Sequence, residues 1–233
     1  MKQHKSILCA FYYSMTFLFC AYRHWAIDLY KLLSKRYKNM VLLNDPKKLT
    51  LNHVKKINPK FIFFPDWSWI VPQTIIENYK CVCFHESDLP KFRGGSPIQN
   101  QIIRRIKKTK TSAFFMNNKI DSGNILLKKH LSLEGTMDEI FQRMIKNDYE
   151  MTVNIIKGNY KMRKQKGHAT YYKRRKPKES ELNLNKSKEY TYNFIRMLSD
   201  PYPNAFIKIG KHKILFKAAK LENNRLYVEG EIE

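Results

Sequence analysis

Residues 81–97, with the sequence CVCFHESDLPKFRGGSP, hold the densest cluster of side chains that could do chemistry. Alternation along an extended strand would place Cys81, Cys83 and His85 on one face. His85 would then lie at the carboxyl end of a strand, the edge at which open α/β sheets bind their ligands. A lone histidine at the end of a strand is usually structural, so its position alone is a weak indication of function, and the loop that follows strengthens it.

The loop after His85 has the composition of a ligand-binding loop. Arg93 carries a guanidinium that can hold an anionic group through paired hydrogen bonds. Gly94 and Gly95 have no side chains, so their backbone N–H groups can approach a ligand closely. We therefore predict that Arg93, Gly94 and Gly95 bind the substrate.

Two other chemistries stay open for the same residue types. Cys83 and His85 could form a nucleophilic pair, although strand residues on one face more often simply pack together. A zinc site built from Cys81, Cys83 and His85 is less favoured, because no second ligand pair follows at metal-binding spacing. We expect no metal.

Several motifs, taken in order along the chain, resemble those of the formyltransferases that use N10-formyltetrahydrofolate. That family has a strand ending in Asn-x-His, a Ser-Leu-Leu-Pro-like turn, an Arg-Gly and a Pro, and a downstream Ile-Asp-x-Gly. The matching residues here are His85, Ser87, Leu89-Pro90, Arg93-Gly94, Pro97 and Ile120-Asp121-Ser122-Gly123. Asp121 follows His85 by 36 residues, which is similar to the spacing in the family.

The resemblance implies roles for three positions and names the formyl donor. His85 would be the catalytic histidine, and Asp121 the aspartate that orients it and helps to move protons. N10-formyltetrahydrofolate would supply the formyl group. Cys83 stands where the family has an asparagine, and a thiol is a poorer hydrogen-bond donor than a carboxamide. Stabilisation of the oxyanion would then fall to protonated His85 or to backbone N–H groups.

The resemblance also implies where the folate would bind. Family members build this pocket from the loop after the third strand and from the loop before the aspartate. The corresponding residues here are Phe64, Trp67, Trp69 and Ile70 in the first loop, and Asn118 and Ile120 in the second. Two tryptophans could flank a flat pterin, although each could equally anchor its loop.

The elements that must position these residues alternate between apolar strands and amphipathic helices. Such β-α-β passages predict an α/β fold, a Rossmann-like, doubly wound and mostly parallel sheet, followed by a small β-rich C-terminal domain. The predicted strands cover residues 7–13, 40–43, 61–64, 81–85, 112–116, 125–133, 205–209, 213–216 and 225–228. The predicted helices cover residues 25–37, 50–57, 98–106, 137–156 and 190–198, with a further short one beginning at 72.

Composition divides the chain and limits its partners. The 233 residues carry 44 Lys+Arg against 20 Asp+Glu, a net charge of +24, and 43% are hydrophobic, enough for a core. The positive electrostatic field of such a charge favours polyanionic partners. We predict a catalytic domain at residues 1–160, a basic surface linker at 161–188 and a C-terminal β subdomain at 189–233.

The amino-terminal run superficially resembles a secretory signal peptide. Lys2 and Lys5 precede an apolar stretch at residues 7–21. That stretch contains polar side chains and is short for a membrane span. We expect instead a buried first strand, no membrane association, reduced thiols and a cytoplasmic protein.

The acceptor of the formyl group is the least determined feature. Residues 194–206 resemble the start of the C-terminal domain in methionyl-tRNA formyltransferases and in the enzymes that formylate nucleotide-linked amino sugars. About 30 residues then remain, few for a tRNA-gripping barrel. We therefore predict folate and a nucleotide-linked deoxyamino sugar as partners, with nucleic acid disfavoured and a homodimer left open. Methionyl-tRNA, which the charge favours, glycinamide ribonucleotide and a non-catalytic binding role are the alternatives.

Overall fold

The computed structural model describes residues 15–233, which contain eleven strands and six α-helices. No helix within this described range is both long and apolar enough to cross a membrane. The strands are β1 (Phe17–Cys20), β2 (Met40–Leu43), β3 (Phe61–Pro65), β4 (Cys81–His85), β5 (Arg93–Gly94), β6 (Lys108–Phe115), β7 (Ile125–Ser132), β8 (Tyr171–Tyr172), β9 (Ala205–Ile209), β10 (His212–Glu222) and β11 (Arg225–Ile232). The helices are α1 (His24–Arg36), α2 (Leu51–Ile57), α3 (Gln73–Asn78), α4 (Pro97–Ile102), α5 (Met137–Ile156) and α6 (Lys188–Arg196).

Six strands form one sheet in the order β2-β1-β3-β4-β6-β7. The first four of these are parallel to one another, whereas β6 runs antiparallel to both β4 and β7. The sheet is therefore mixed but mainly parallel, and the α/β prediction is confirmed. Because β4 lies inside the sheet, His85 sits at its carboxyl edge between β3 and β6, opposite Ser112.

Both faces of the sheet are covered, which explains why its inner strands are apolar throughout. Alternate side chains of β1 and β3, such as Phe19 and Phe63, pack with α1 and α5 on one face. Their neighbours Leu18 and Ile62 join a second core on the opposite face. Trp25 at the start of α1 stacks on a phenylalanine of α5 with 6.0 Å between the ring centroids.

Several element boundaries differ from prediction for physical reasons. The strand predicted at residues 7–13 lies outside the described range, and the first described strand is Phe17–Cys20. β6 begins at Lys108 rather than 112, because pairing with β7 extends to Ser132. β10 continues to Glu222, because two left-handed residues, Asn223 and Asn224, close a long hairpin with β11.

The C-terminal strands form the predicted small antiparallel sheet, in the order β11-β10-β9. This sheet does not stand apart from the rest of the chain. Phe194, Ala205 and Phe216 belong to the same buried cluster as Phe141 of α5. The C-terminal region and the catalytic sheet consequently share one hydrophobic core.

Residues 161–188 do more than connect the two sheets. Strand β8 pairs in parallel with β5, and Arg163 exchanges two backbone hydrogen bonds with Ile125. A side chain could not be accommodated at the glycines opposite this segment. A Cβ on Gly94 would lie 2.3 Å from the carbonyl oxygen of Tyr172, and one on Gly95 would lie 2.3 Å from the Cα of Arg174. The basic segment is therefore in close contact with the loop after His85.

This contact predicts that Gly95→Ala loosens the basic segment. The added methyl group would collide with the Arg174 backbone, so the segment must move. We expect a loss of about 1–3 kcal/mol in the free energy of unfolding, measured with urea, and faster tryptic cleavage within residues 161–188. Lys173→Ala, at an exposed position of the same segment, is the control. Wild-type stability and protease resistance in Gly95→Ala would contradict the close packing.

Candidate active site

The structure brings together the two residues that the sequence paired, His85 and Asp121. β4 ends at His85, and Asp121 lies in the connection between β6 and β7 with a left-handed backbone, φ 47°. Nδ1 of His85 is 3.7 Å from Oδ2 of Asp121. The backbone N–H of Gly94 donates to the same carboxylate oxygen at 2.7 Å. The carboxylate is thus held beside the imidazole by a group from the glycine-containing loop.

The hydrogen bond of the other ring nitrogen sets the tautomer of His85. Nε2 lies 2.7 Å from the carbonyl oxygen of Phe92. A carbonyl oxygen can only accept, so Nε2 carries the proton. In the neutral imidazole, Nδ1 is then an unprotonated acceptor facing the carboxylate of Asp121. The pair can take up a proton at Nδ1, and the carboxylate would balance the imidazolium that forms.

Gln165, which sequence reasoning missed, helps to hold Asp121 in place. Its side-chain Nε2 donates to the backbone oxygens of Asp121 at 2.8 Å and of Gly123 at 2.9 Å. Gly123 is needed here, since a Cβ would lie 1.6 Å from the carbonyl oxygen of Phe115. Nothing in the sequence marks Gln165, because it lies in a basic segment without periodicity.

Arg93 has intramolecular partners in the described structure. Its guanidinium donates to Oε1 of Gln165 at 2.7 and 3.2 Å and to the hydroxyl of Tyr171 at 2.6 Å. The N–H groups of Gly94 and Gly95 are also used internally, on Asp121 and on the carbonyl of Tyr172. Substrate binding by these three loop residues stays a prediction. Their observed contacts join the loop to residues 161–188.

Cys83 lies on β4 two residues before the histidine and is partly exposed. Burial raises the pKa of its thiol well above the usual value, and the nearby carboxylates of Asp121 and Glu86 raise it further. The thiol is therefore neutral, and it donates a weak hydrogen bond to the carbonyl of Phe84 at 3.6 Å. A neutral thiol argues against the nucleophilic pair. Within residues 15–233, no three His, Cys, Asp or Glu side chains converge as metal ligands.

The loop after β3 presents the predicted tryptophans as an aromatic cluster. The ring of Trp69 lies 4.5 Å from that of Tyr22 and 4.9 Å from that of Trp67. Trp69 is 43% exposed and Ile70 is 96% exposed, unusual values for large apolar side chains. Arg174 of the basic segment donates to the hydroxyl of Ser68 at 2.6 Å, which ties this loop to residues 161–188.

The remaining predicted folate-binding residues lie in different surroundings. Ile120 immediately precedes Asp121 and is 69% exposed, and Asn118 is also exposed. Phe64 is fully buried in the second core, so neither its side chain nor its backbone is exposed to a ligand. Folate contacts at these positions stay predictions.

A polar cavity beside this site was not visible in the sequence. It has a volume of about 270 Å³ and lies where the ends of β3 and β4 meet the basic segment and the C-terminal region. Glu86, the residue after His85, is among those that line it. Six separate stretches of chain, from Arg23 to Pro203, contribute to the cavity, so no local pattern could indicate it.

Comparison with known proteins finds matches along most of the chain. A family described as formyl transferase matches residues 35–156, and one described as methionyl-tRNA formyltransferase, C-terminal domain, matches residues 177–233. Methionyl-tRNA formyltransferase of Rickettsia prowazekii is 29% identical over 204 residues, 84% of this chain and 66% of that protein. The protein of the same name from Thermodesulfovibrio yellowstonii is 30% identical over 184 residues, which cover 75% of this chain and 59% of that protein. The chain thus spans less than two thirds of these curated relatives.

Solved structures extend the likeness to the fold. A methionyl-tRNA formyltransferase from Clostridium thermocellum superposes with a TM-score of 0.90 and 41% identity, covering 94% of this chain and 99% of that one. A sugar N-formyltransferase from a Shewanella species superposes with a TM-score of 0.69 at 18% identity, covering 90% of this chain and 99% of that one. At this identity the likeness shows the fold alone. Since the first family matches more than half of its 233 residues, and since His85 and Asp121 stand together as the motifs of that family require, the chain belongs to the formyl transferase family.

Proposed function

We propose that this protein transfers the formyl group of N10-formyltetrahydrofolate to a primary amine. The observation that carries this proposal is that Nδ1 of His85 lies 3.7 Å from the carboxylate of Asp121. Family membership supports the same reaction class. A structure of HypX from Aquifex aeolicus, which shares the fold at 18% identity, contains tetrahydrofolic acid.

The proposed proton path uses residues of this chain. The folate derivative supplies the formyl group when bound. As the amine nitrogen bonds to the formyl carbon it becomes acidic, and Nδ1 of His85 is the acceptor placed to take its proton. Asp121 stabilises the resulting imidazolium, and the proton then passes from Nδ1 to the nitrogen that leaves the formyl carbon. The proton that the amine loses is thus the proton that the leaving nitrogen gains, and the imidazole of His85 carries it between them.

The residues near this pair fit a flat, partly apolar donor. Trp69 and Ile70 expose large apolar surfaces in the loop after β3, which neighbours β4. Ile120 exposes another beside Asp121. We assign the folate ring to these side chains, because exposed apolar surface of this kind is characteristic of ligand sites.

Among acceptors, we propose methionyl-tRNA first. The curated relatives act, by their names, on methionyl-tRNA, and the C-terminal match carries the same description. A net charge of +24 suits an RNA partner. This reverses the preference that the sequence suggested for a nucleotide-linked amino sugar.

The amino sugar remains a second candidate because of one observation. The cavity beside the site is small and lined by polar side chains, including Glu86, Gln99 and Tyr202. Such a lining suits the hydroxyl groups of a sugar.

The two acceptors can be separated by assay. With N10-formyltetrahydrofolate present, we expect mass spectrometry to show one added formyl group on methionyl-tRNA. The KM for the tRNA should rise steeply between 50 and 200 mM salt, an increase on the order of 10³-fold for about six phosphate contacts. A panel of nucleotide-linked 3-amino and 4-amino deoxysugars is tested in parallel, with uncharged tRNA as the control. Formylation of a sugar alone would overturn the first choice in favour of the second.

If His85 and Asp121 move the proton, His85→Asn and Asp121→Asn should each reduce kcat by about 10²- to 10⁴-fold. The first substitution removes the imidazole that accepts the proton, and the second removes the carboxylate that stabilises the imidazolium. Initial rates of formyl transfer and the thermal midpoint of each variant are the measurements. We expect midpoints near that of the wild type, with Asp88→Asn, a partly exposed carboxylate outside the pair, as the control. Wild-type rates in either catalytic variant would refute the proton path.

We expect the Cys83→Asn variant to have an activity equal to or above that of the wild type. A carboxamide is a stronger hydrogen-bond donor than the neutral thiol, so it should stabilise the oxyanion at least as well. The measurement is kcat at saturating donor, compared with Cys81→Ala as a thiol control on the same strand. A loss of tenfold or more in a folded Cys83→Asn variant would show that the thiol has a role of its own.

A further inference from the structure

The polar cavity beside the active site is built like a binding site. Its volume of about 270 Å³ lies just below the usual range of ligand pockets, about 300–1,000 Å³, so it suits one sugar-sized unit. Neither His85 nor Asp121 lines it, but Glu86 follows His85 directly in the chain. A unit held in the cavity would therefore leave the site of proton transfer unoccupied.

Apart from the ion pair between Arg23 and Asp66, three buried polar atoms on residues that line the cavity have no hydrogen-bond partner in the described part of the chain: Oε1 of Glu86, Nε2 of Gln99 and Nε of Arg175. Glu86 is only 4% exposed, and its Oε1 makes no hydrogen bond there. Nε of Arg175, a second lining residue, is buried and likewise without a hydrogen-bond partner among the described residues. Since buried polar groups are nearly always paired, three such groups on residues that line one cavity indicate a polar ligand that pairs with them.

The charges around the cavity favour an anionic group on that ligand. Arg23 is already compensated, because its Nε forms an ion pair with Asp66 at 2.9 Å. Arg174, Arg175 and Lys176 also line the cavity, as consecutive cations. The guanidinium of Arg174 is engaged with Ser68 and one terminal nitrogen of Arg175 donates to the carbonyl of Glu179, which leaves Nε of Arg175 and the ammonium of Lys176 for an anion.

Glu86 does not cancel this positive charge. Burial raises the pKa of its carboxyl well above the usual value, and the carboxyls of Asp66 and Asp148 raise it further. A neutral carboxyl has one donor and acceptor capacity, which matches a hydroxyl group better than a cation. The cavity thus offers a hydroxyl-binding wall and an anion-binding wall.

We propose that this cavity binds a phosphorylated, hydroxyl-bearing sugar unit of the acceptor, with the phosphate at Arg175 and Lys176 and a hydroxyl group at Glu86. Only the assignment of this unit to the acceptor rests on the proposed function. Both candidate acceptors carry such a unit, as the terminal nucleotide of an aminoacyl-tRNA or as a nucleotide-linked sugar. Glu86 is then a specificity-determining residue.

Binding of glucosamine 1-phosphate, measured by calorimetry in the absence of folate, tests the cavity directly. Inorganic phosphate serves as the probe of the anion wall alone. We expect Glu86→Leu to weaken the binding of glucosamine 1-phosphate at least tenfold, whereas the affinity for inorganic phosphate should stay within twofold of the wild-type value. Glu86→Gln, which keeps the size and polarity of the side chain, should stay within threefold, and Lys176→Ala should weaken both probes. Lys178→Ala is the matched control, because Lys178 is exposed and does not line the cavity.

Turnover with each acceptor then identifies the source of the sugar unit. The KM for methionyl-tRNA, or for the nucleotide-linked amino sugar, should rise at least fivefold in Glu86→Leu, and the acceptor affected is the one that occupies the cavity. Unchanged binding of glucosamine 1-phosphate in Glu86→Leu and Lys176→Ala would overturn the proposal. Lost binding with both KM values unchanged would overturn its assignment to the acceptor. Failure of the proposed function is a separate result, namely no formyl transfer by the wild type to either acceptor.

Discussion

The carboxylate of Asp121 is the group on which the arrangement of the site depends. Its position beside His85 is not set by its own strand, because it lies in a connecting loop with a left-handed backbone. It is set by the N–H of Gly94 on one oxygen and by the side chain of Gln165 on its carbonyl. Each of these groups comes from a different part of the chain. His85 and Asp121 are therefore held together only when the glycine-containing loop and residues 161–188 are both in place.

The same dependence explains why the basic segment is closely packed rather than a free connection. Arg93 reaches into it through Gln165 and Tyr171, and Arg174 reaches from it to Ser68 beside the tryptophans. One segment thus contacts the loop of the catalytic pair and the loop assigned to the folate. Because the C-terminal sheet shares the core of the catalytic sheet, the segment between them is also held at its far end.

Electrostatics near the site differ from those of the molecule as a whole. The chain has a net charge of +24, yet Glu86 and Asp148 are buried close to the site. Burial raises the pKa of both carboxyls well above their usual values, which keeps them neutral. The positive charge of the surface can draw in an anionic acceptor, while the interior next to the histidine presents neutral hydrogen-bonding groups.

Much of the fold could be predicted from sequence, because its determinants are local. Apolar runs such as Phe61–Pro65 and the capped, amphipathic helix Met137–Ile156 carry their periodicity in neighbouring residues. The order of the motifs around His85 and Asp121 likewise indicated the family and the catalytic pair. Boundaries were less accurate where pairing with a distant strand extended an element, as in β6 and β10.

The sequence by itself determined the α/β class and the family and predicted that His85 and Asp121 lie together, since these follow from local patterning and from motif spacing. Only the tertiary structure decided that Gln165 supports Asp121, that Arg93 bonds to residues 161–188, and that Glu86 faces a polar cavity. The reason is physical. These contacts join residues dozens of positions apart through single hydrogen bonds and charges, and such pairings leave no periodic trace in the chain that makes them.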